Sequence, residues 1–220
     1  MIRFLALFVG LLLPQALLAQ YKSFEAGTYV LADNRQLLHS AKLKLRNENT
    51  LLVKDGKSEK QPLNPEDILW FQVGKHRFVP VGGFQVDDGF SGSDVQRGFA
   101  EFLDSGQVKL YEYRFFAANA SPVLGSNKGF VGGGGASWKT VYLLQPAGQS
   151  DFTVVSANNW GGVSREFRET IAPLVTGRPD LQKLLADDTI FMENLVPFVR
   201  SLNRGLPTAA PAPLPTAGSN

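Results

Sequence analysis

The chain has 220 residues, of which 44% are hydrophobic, with 22 Lys and Arg against 20 Asp and Glu, and it has no cysteine. The lack of cysteine excludes disulfides and a lipid-modified cysteine, and a net charge of +2 gives no electrostatic case for nucleic acid. The length suits one domain, or a β domain with a helical appendage.

The N-terminus has the pattern of a secretory signal peptide. Arg3 precedes an apolar run over residues 4–13, and the small residue Ala19 ends the segment. A run of this length is too short to span a bilayer, which takes about 20 residues. We therefore expect residues 1–19 to be cleaved between Ala19 and Gln20, leaving no transmembrane span in the mature chain. The predicted location is periplasmic, cell-surface or secreted.

Residues 20–160 predict an antiparallel β domain. Apolar and basic residues alternate over 41–46, which is the period of a half-buried strand. About eight or nine strands are expected. Turn residues separate the strand patterns at 47–49, 55–56, 74–75 and 104–106.

Residues 161–205 change to helical spacing. Ser164 is the predicted N-cap of a first helix, and Pro179 suits the first turn of a second. The third helix is expected to start near Met192 and to stop at Gly205. Because these helices are short, we expect them to dock on the β domain.

The expected fold class is α+β, an antiparallel β roll or small barrel followed by two or three C-terminal helices. Residues 206–220 are rich in Pro and Ala, a composition that cannot bury a core. This segment is therefore predicted to be a disordered tail, with a flexible tether as the functional alternative.

A glycine-rich stretch nearly matches the phosphate-binding loop of nucleotide-binding proteins. The match fails because Trp138 stands where the last glycine is needed, and the residues after Lys139 have the pattern of a strand instead of a helix. No nucleotide is therefore expected. Residues 129–137 remain open as either a functional lid or a plain linker.

The segment 86–98 resembles a calcium-binding loop but lacks two of its ligands. An irregular oxygen site from Asp87, Asp88 and Asp94 is the alternative to a polar loop between strands. We predict no metal site and no cofactor.

Catalytic signals are weak. His39 and His76 are the only histidines, and the sequence has no Gly-x-Ser-x-Gly nucleophile motif. A glycosidase could use two carboxylates on strands, although the polar face of alternating strands explains them equally well. The candidates are Glu101, Asp104, Glu112 and Asp151. No catalytic residue is predicted.

The aromatic residues give one candidate ligand face. Tyr111, Tyr113 and Phe115 fall on the same side of a predicted strand, where an exposed row could stack on sugar rings or bind a peptide. The alternative is that they fill a β core. The tryptophans Trp70, Trp138 and Trp160 lie near strand or loop ends.

Five segments follow one another in a recognisable order. They are Gly27–Val30, the basic hairpin Lys42–Lys60, Pro65–Phe71, the helix Pro179–Leu185 and a final helix closing on Asn203. This order resembles a family of uncharacterised exported proteins of Bacteroidetes-type bacteria. The resemblance covers most of residues 24–204 but not the glycine-rich loop or the Pro-rich tail. It implies export and a β-then-α build, and it brings no catalytic residues.

These features lead us to expect a non-enzymatic binding or structural protein of the cell envelope, whose partner is an unidentified protein or an envelope polymer. The alternative is a hydrolase acting on an envelope polysaccharide or peptide. An enzyme should bring polar residues with perturbed pKa values together in one cleft. A binding module should instead show an exposed aromatic or apolar patch.

Overall fold

The computed structural model describes residues 23–56, 59–87, 92–118, 136–156 and 163–205. The predicted signal peptide, its cleavage site at Ala19 and Gln20, and the Pro-rich tail lie outside these ranges, as does most of the glycine-rich loop. The described residues form two compact units. One unit contains the residues up to Val81 together with Arg97–Phe99, and the other contains 82–96 and the residues from Ala100 onward.

The first unit is an open antiparallel sheet of six strands in the order β6-β5-β1-β2-β3-β4. Two-residue turns join β2 to β3 and β5 to β6, and Gly74 supplies the positive φ that the second of these turns needs. The strands are β1 (Glu25–Leu31), β2 (Leu38–Asn47), β3 (Thr50–Lys54), β4 (Gln61–Leu63), β5 (Ile68–Val73) and β6 (His76–Val81).

One face of this sheet carries the core of the first unit. The Phe71 ring stacks on Phe78 with ring centroids 4.8 Å apart and meets Phe99 edge to face at 5.1 Å. Leu43 and Leu51 are buried beside them. The alternation over residues 41–46 therefore sends leucines to this core and basic residues to the opposite face, as predicted.

Gly27 allows β1 to approach its neighbours closely. A Cβ atom at this position would lie 2.4 Å from the Gln72 carbonyl oxygen and 2.7 Å from Leu43 Cδ1. The backbone oxygen belongs to the neighbouring strand and cannot move without disturbing the pairing of β1 with β5.

Gly27→Ala is expected to destabilise the protein by about 1–3 kcal/mol, because the methyl group overpacks the sheet. The matched control is Gly177→Ala, whose Cβ would have no atom within 4 Å. The control should be neutral or stabilising by about 0.5 kcal/mol, since alanine restricts the unfolded chain. Urea unfolding of both variants measures the difference, and equal midpoints would show that β1 can shift to admit the methyl group.

The second unit contains a short hairpin, a longer antiparallel sheet in the order β12-β11-β10-β9, and the helices. The hairpin consists of β7 (Phe84–Val86) and β8 (Ser93–Val95). The other strands are β9 (Gly98–Asp104, of which the first two residues count with the first unit), β10 (Val108–Ala118), β11 (Ala136–Pro146) and β12 (Thr153–Val155). The helices are α1 (Arg165–Ile171), a 3₁₀ helix (Ala172–Val175), α2 (Pro179–Ala186) and α3 (Met192–Arg204).

The helices bury one face of β10–β12. Their apolar residues meet Val108 and Leu110 of β10 in one continuous core, in which Phe167 and Phe198 pack at 6.0 Å between ring centroids. The predicted helix boundaries are confirmed: Ser164 caps α1, Pro179 opens α2, α3 starts at Met192, and Gly205 ends it with a φ of 65°. None of the described helices is long and apolar enough to cross a membrane.

Asn203 joins the last turn of α3 to the turn between β9 and β10. Its side-chain NH₂ donates to the Asp104 carboxylate at 2.9 Å and to the Val108 carbonyl at 2.8 Å, and its oxygen accepts the Val108 N–H at 3.0 Å. A side chain at Gly106 would lie 2.7 Å from the Asn203 Cβ, so this turn must carry glycine for the helix to sit there. Asn203 thus completes the backbone hydrogen bonding of Val108.

Asn203→Ala is expected to cost about 2–3 kcal/mol in the free energy of unfolding, because three hydrogen bonds are lost and the Val108 N–H and C=O lose their partner. The neighbouring exposed residue gives the control: Arg204→Ala should stay within about 0.5 kcal/mol of the parent chain. Chemical denaturation measures both. A small effect at Asn203 would mean that water replaces its amide.

The α+β class, with an antiparallel sheet followed by C-terminal helices, is confirmed. The sheet of each unit is open, so the small barrel is not the form observed. Twelve strands are present in the described residues, more than the eight or nine expected, because the three-residue strands β4, β7 and β8 carry too little pattern to be recognised. The strands divide between both units, and the helices belong with β10–β12.

Candidate functional site

The second unit contains a cleft of about 970 Å³. It is formed by β7, the ends of β10, β11 and β12, and helix α1. A cleft of this volume lies at the upper end of the range for small-molecule sites, about 300–1,000 Å³. It is therefore large enough for several linked sugar or amino-acid residues.

The floor of the cleft is apolar and aromatic. Phe115, Val141, Phe152 and Val154 line it. Phe152 is held by two edge-to-face contacts, with Phe84 at 5.8 Å and Tyr111 at 5.7 Å between ring centroids. The floor is thus rigid, because its aromatic rings interlock with the core beneath them.

The remaining lining residues are polar. Hydroxyl groups come from Thr140, Thr153, Ser156 and Thr170, an amide comes from Gln85, and charges come from Asp87, Lys139, Glu166 and Glu169. The lining thus carries three carboxylates and one ammonium group. The Lys139 ammonium donates to the Asp87 carbonyl oxygen at 3.5 Å. The charge of the lining is negative, which suits a neutral or basic ligand rich in hydrogen-bonding groups.

Helix α1 forms the acidic wall of the cleft. Glu166 and Glu169 stand three residues apart and share one side of the helix. A hydrogen bond of 3.0 Å between the Thr153 and Thr170 hydroxyls joins the helix to β12. Glu169 also forms a 2.7 Å ion pair with Arg165 at the solvent side.

Ser164, the N-cap of α1, helps to lower the pKa of Glu166 in this wall. The Ser164 hydroxyl oxygen accepts the N–H of Phe167 at 3.4 Å. The pKa of Glu166 is lowered, first by a hydrogen bond from its own backbone N–H and then by one from the Ser164 hydroxyl. A carboxylate in the first turn also interacts favourably with the helix dipole, so Glu166 presents a negative charge at neutral pH.

Ser164→Ala is expected to destabilise the protein by about 1 kcal/mol at neutral pH, as expected for a lost N-cap. A lowered folded-state pKa gives stability that is present above the unfolded pKa and is lost as the pH falls through the folded pKa. The variant should therefore differ less from the parent in acid than at neutral pH. Ser164→Asp keeps a capping oxygen and serves as the control. Unfolding curves at acidic and neutral pH test this. An equal difference between variant and parent at both pH values would show that the cap does not act through the Glu166 carboxylate.

Tyr111, Tyr113 and Phe115 lie on one face of β10, as predicted, but they are only 7%, 2% and 5% exposed. They do not form an exposed aromatic row. They fill a β core, which was the alternative interpretation. Tyr113 packs against Phe84 at 5.2 Å and against Phe115 at 5.9 Å between ring centroids. Phe115 alone among the three lines the cleft, and burial raises the pKa of Tyr111.

The tryptophans are placed differently. Trp138 packs edge to face with Phe116 at 5.6 Å, and both rings are exposed. Trp70 lies under the Arg77 guanidinium, 4.4 Å from its ring centroid. Trp160 lies outside the described residues.

Two of the four candidate carboxylates come together. Glu101 and Glu112 face each other across the pairing of β9 and β10, where Glu101 is buried and the Glu112 side chain is 10% exposed. Glu112 forms an ion pair with Arg114, and neither glutamate lines the cleft. Asp104 is bound by Asn203, and Asp151 accepts a hydrogen bond from Ser150. The two glutamates therefore lie within the sheet of β9 and β10, where Arg114 pairs with Glu112.

The other predicted signals are also located. β11 continues through Lys139 and Thr140, so the strand expected after Lys139 is confirmed. His39 stacks on Tyr29 in the first unit, and His76 begins β6. In the described part of the chain, no group of three or more acidic or histidine residues could hold a metal ion. Asp88 lies outside that part.

Sequence reasoning missed four residues that define the cleft: Lys139, Phe152, Glu166 and Glu169. Glu166 was visible as a first-turn acidic residue after Ser164, but nothing indicated that α1 would face β12. Phe152 precedes the short strand β12, and its place in the cleft depends on contacts with Phe84 and Tyr111, which are distant in sequence.

No protein-family model, no curated protein and no solved structure matches this chain.

Proposed function

We propose that this chain is an exported, non-enzymatic binding protein of the bacterial cell envelope, and that the cleft of its second unit holds the ligand. The cleft itself is the observation that carries the proposal, because it joins an aromatic floor to a rim of hydroxyls and carboxylates. Export rests on the signal-peptide pattern that ends at Ala19.

The lining favours a short stretch of an envelope glycan or peptide as the ligand. Phe152, which is partly exposed, offers apolar surface to the flat side of a sugar ring or to a side chain. Thr140, Thr153 and Thr170 offer hydroxyls that both donate and accept hydrogen bonds. The excess of carboxylates favours ligands that carry amino groups and disfavours anionic ones.

The state of the carboxylates favours binding over catalysis. A glycoside hydrolase needs one carboxylic acid with a raised pKa to protonate the leaving oxygen. The pKa of Glu166 is lowered, which is the wrong direction for a proton donor at neutral pH. Glu169 is engaged by Arg165, and the paired Glu101 and Glu112 stand outside the cleft.

A hydrolase acting on an envelope polysaccharide or peptide is the second candidate. The observation in its favour is that Glu166 and Glu169 line the same cleft, so two carboxylates face whatever occupies it. Mass spectrometry of a glycan or peptidoglycan fragment incubated with the protein separates the two functions. Shortened products that disappear with Glu169→Gln would establish the hydrolase, whereas an unchanged ligand that still binds supports the binding protein.

Thr140→Trp tests whether the cleft is the binding site. Thr140 is exposed on β11, so the larger side chain should fill the cleft without disturbing the core. We expect at least tenfold weaker binding of glycan or peptidoglycan fragments by the mature chain in calorimetry, because the ligand must displace the indole ring. Gln149→Trp, at an exposed turn outside the cleft, is the control and should bind like the parent. Equal binding by both variants would move the ligand to another surface.

A further inference from the structure

The sheet of the first unit has a second face, opposite to its core, that is basic. In an antiparallel pair, residues directly opposite each other project to the same side. Lys42 of β2 stands opposite Lys54 of β3, and Arg77 of β6 stands opposite Gln72 of β5. Thr28 and Ser40 continue the row from Gln72 and stand beside Lys42. The positive charges thus extend over β6 to β3, four interstrand spacings or about 19 Å.

No carboxylate of the strands shares this face. Glu25 is the only acidic residue within β1–β6, and it pairs with Leu43 on the core side. Among the described residues, Lys42, Lys54 and Arg77 form no ion pair with any carboxylate.

Folding alone does not explain two features of these cations. Like charges directly opposite each other in a sheet are destabilising, and Lys42 and Lys54 are such a pair. The Arg77 guanidinium is fixed over the Trp70 ring, so its charge is already oriented. A negatively charged surface bound to this face would offset the repulsion between Lys42 and Lys54, and it would pair with the oriented Arg77 guanidinium.

An exposed leucine, Leu38, lies at one end of the same face. Leu38 of β2, Val30 of β1 and Trp70 of β5 are in register beside the row of Arg77 and Ser40. Val30 is buried, so Leu38 and the partly exposed Trp70 are the apolar residues that this row presents to solvent. Leu38 is 55% exposed, and Leu37 just before it is 48% exposed. Leucines and a tryptophan next to lysines and arginine form the combination that lies at the boundary of headgroups and acyl chains.

We propose that this face binds the surface of an anionic lipid bilayer. Leu37 and Leu38 enter the boundary between headgroups and acyl chains, and the amphipathic ring of Trp70 lies at the same level. Lys42, Lys54 and Arg77 meet the lipid phosphates. The site belongs to the first unit and is independent of the cleft.

The leucines distinguish a membrane from other polyanions. An acidic polysaccharide would satisfy the lysines but would leave Leu37 and Leu38 exposed to water. Single-stranded nucleic acid needs an open aromatic face for base stacking, whereas Arg77 already covers the Trp70 ring. A membrane surface satisfies both the apolar row and the cations.

The test is flotation of the mature chain with vesicles of phosphatidylglycerol and phosphatidylcholine, compared with vesicles of phosphatidylcholine alone. Binding should require phosphatidylglycerol and weaken with salt. Each basic residue near the surface contributes about fivefold, so Lys42→Gln with Lys54→Gln should weaken partitioning roughly 25-fold. Leu37→Ser with Leu38→Ser should also reduce it several-fold, because apolar burial is lost.

The matched control removes the same charge elsewhere, as Lys109→Gln with Arg200→Gln, two exposed residues of the second unit. The control should bind like the parent, and circular dichroism should show that all variants are folded. Equal loss in the control, or equal binding to uncharged vesicles, would overturn the proposal. Binding to alginate or to DNA without binding to vesicles would overturn it in favour of a soluble polyanion.

Discussion

In the second unit, the position of the helices depends on the Asn203 side chain, which bonds the last turn of α3 to the start of β10. Val108 opens β10, and its N–H and C=O would lack partners at the turn without the Asn203 amide. The same side chain reaches the Asp104 carboxylate, so both strands of the β9–β10 turn are fixed to one helix. Because α3 is anchored there, its apolar stripe lies over β10, and the core it shares with α1 holds α1 against β12. The position of the acidic wall of the cleft therefore depends on a contact made by the last turn of α3.

Charge is distributed unevenly between the two units. The described residues of the first unit contain nine Lys and Arg against seven Asp and Glu, whereas those of the second contain nine against twelve. The overall charge of +2 conceals this contrast. In the first unit the strand period concentrates the cations on one face, and in the second the carboxylates of α1 line the cleft. A nearly neutral chain thus presents one basic surface and one acidic cleft, which favour ligands of opposite chemistry.

Local signals predicted the boundaries of elements well. Ser164, Pro179 and Gly205 act through geometry within a few residues, so their roles as N-cap, first-turn proline and helix stop were readable from the sequence. The strand period also identified which residues of 41–46 face the core. The aromatic row on β10 was placed on one face correctly, but its burial depends on β7 and Phe152, which cover it from distant parts of the chain. Exposure is a tertiary property, and alternation alone does not report it.

The basic face of the first unit could not be predicted from the sequence pattern either. In the sequence the lysines alternate with leucines, and this pattern is typical of any solvated strand. Only the register reveals that Lys42 opposes Lys54 and that Arg77 shares their side, because β6 and β3 are separated in the sheet by β5, β1 and β2. Hydrophobic alternation determines which side of each strand is polar, but strand order determines which polar residues become neighbours. A charged surface of this kind is therefore a property of topology, and its contribution to function becomes visible when the strands are assembled.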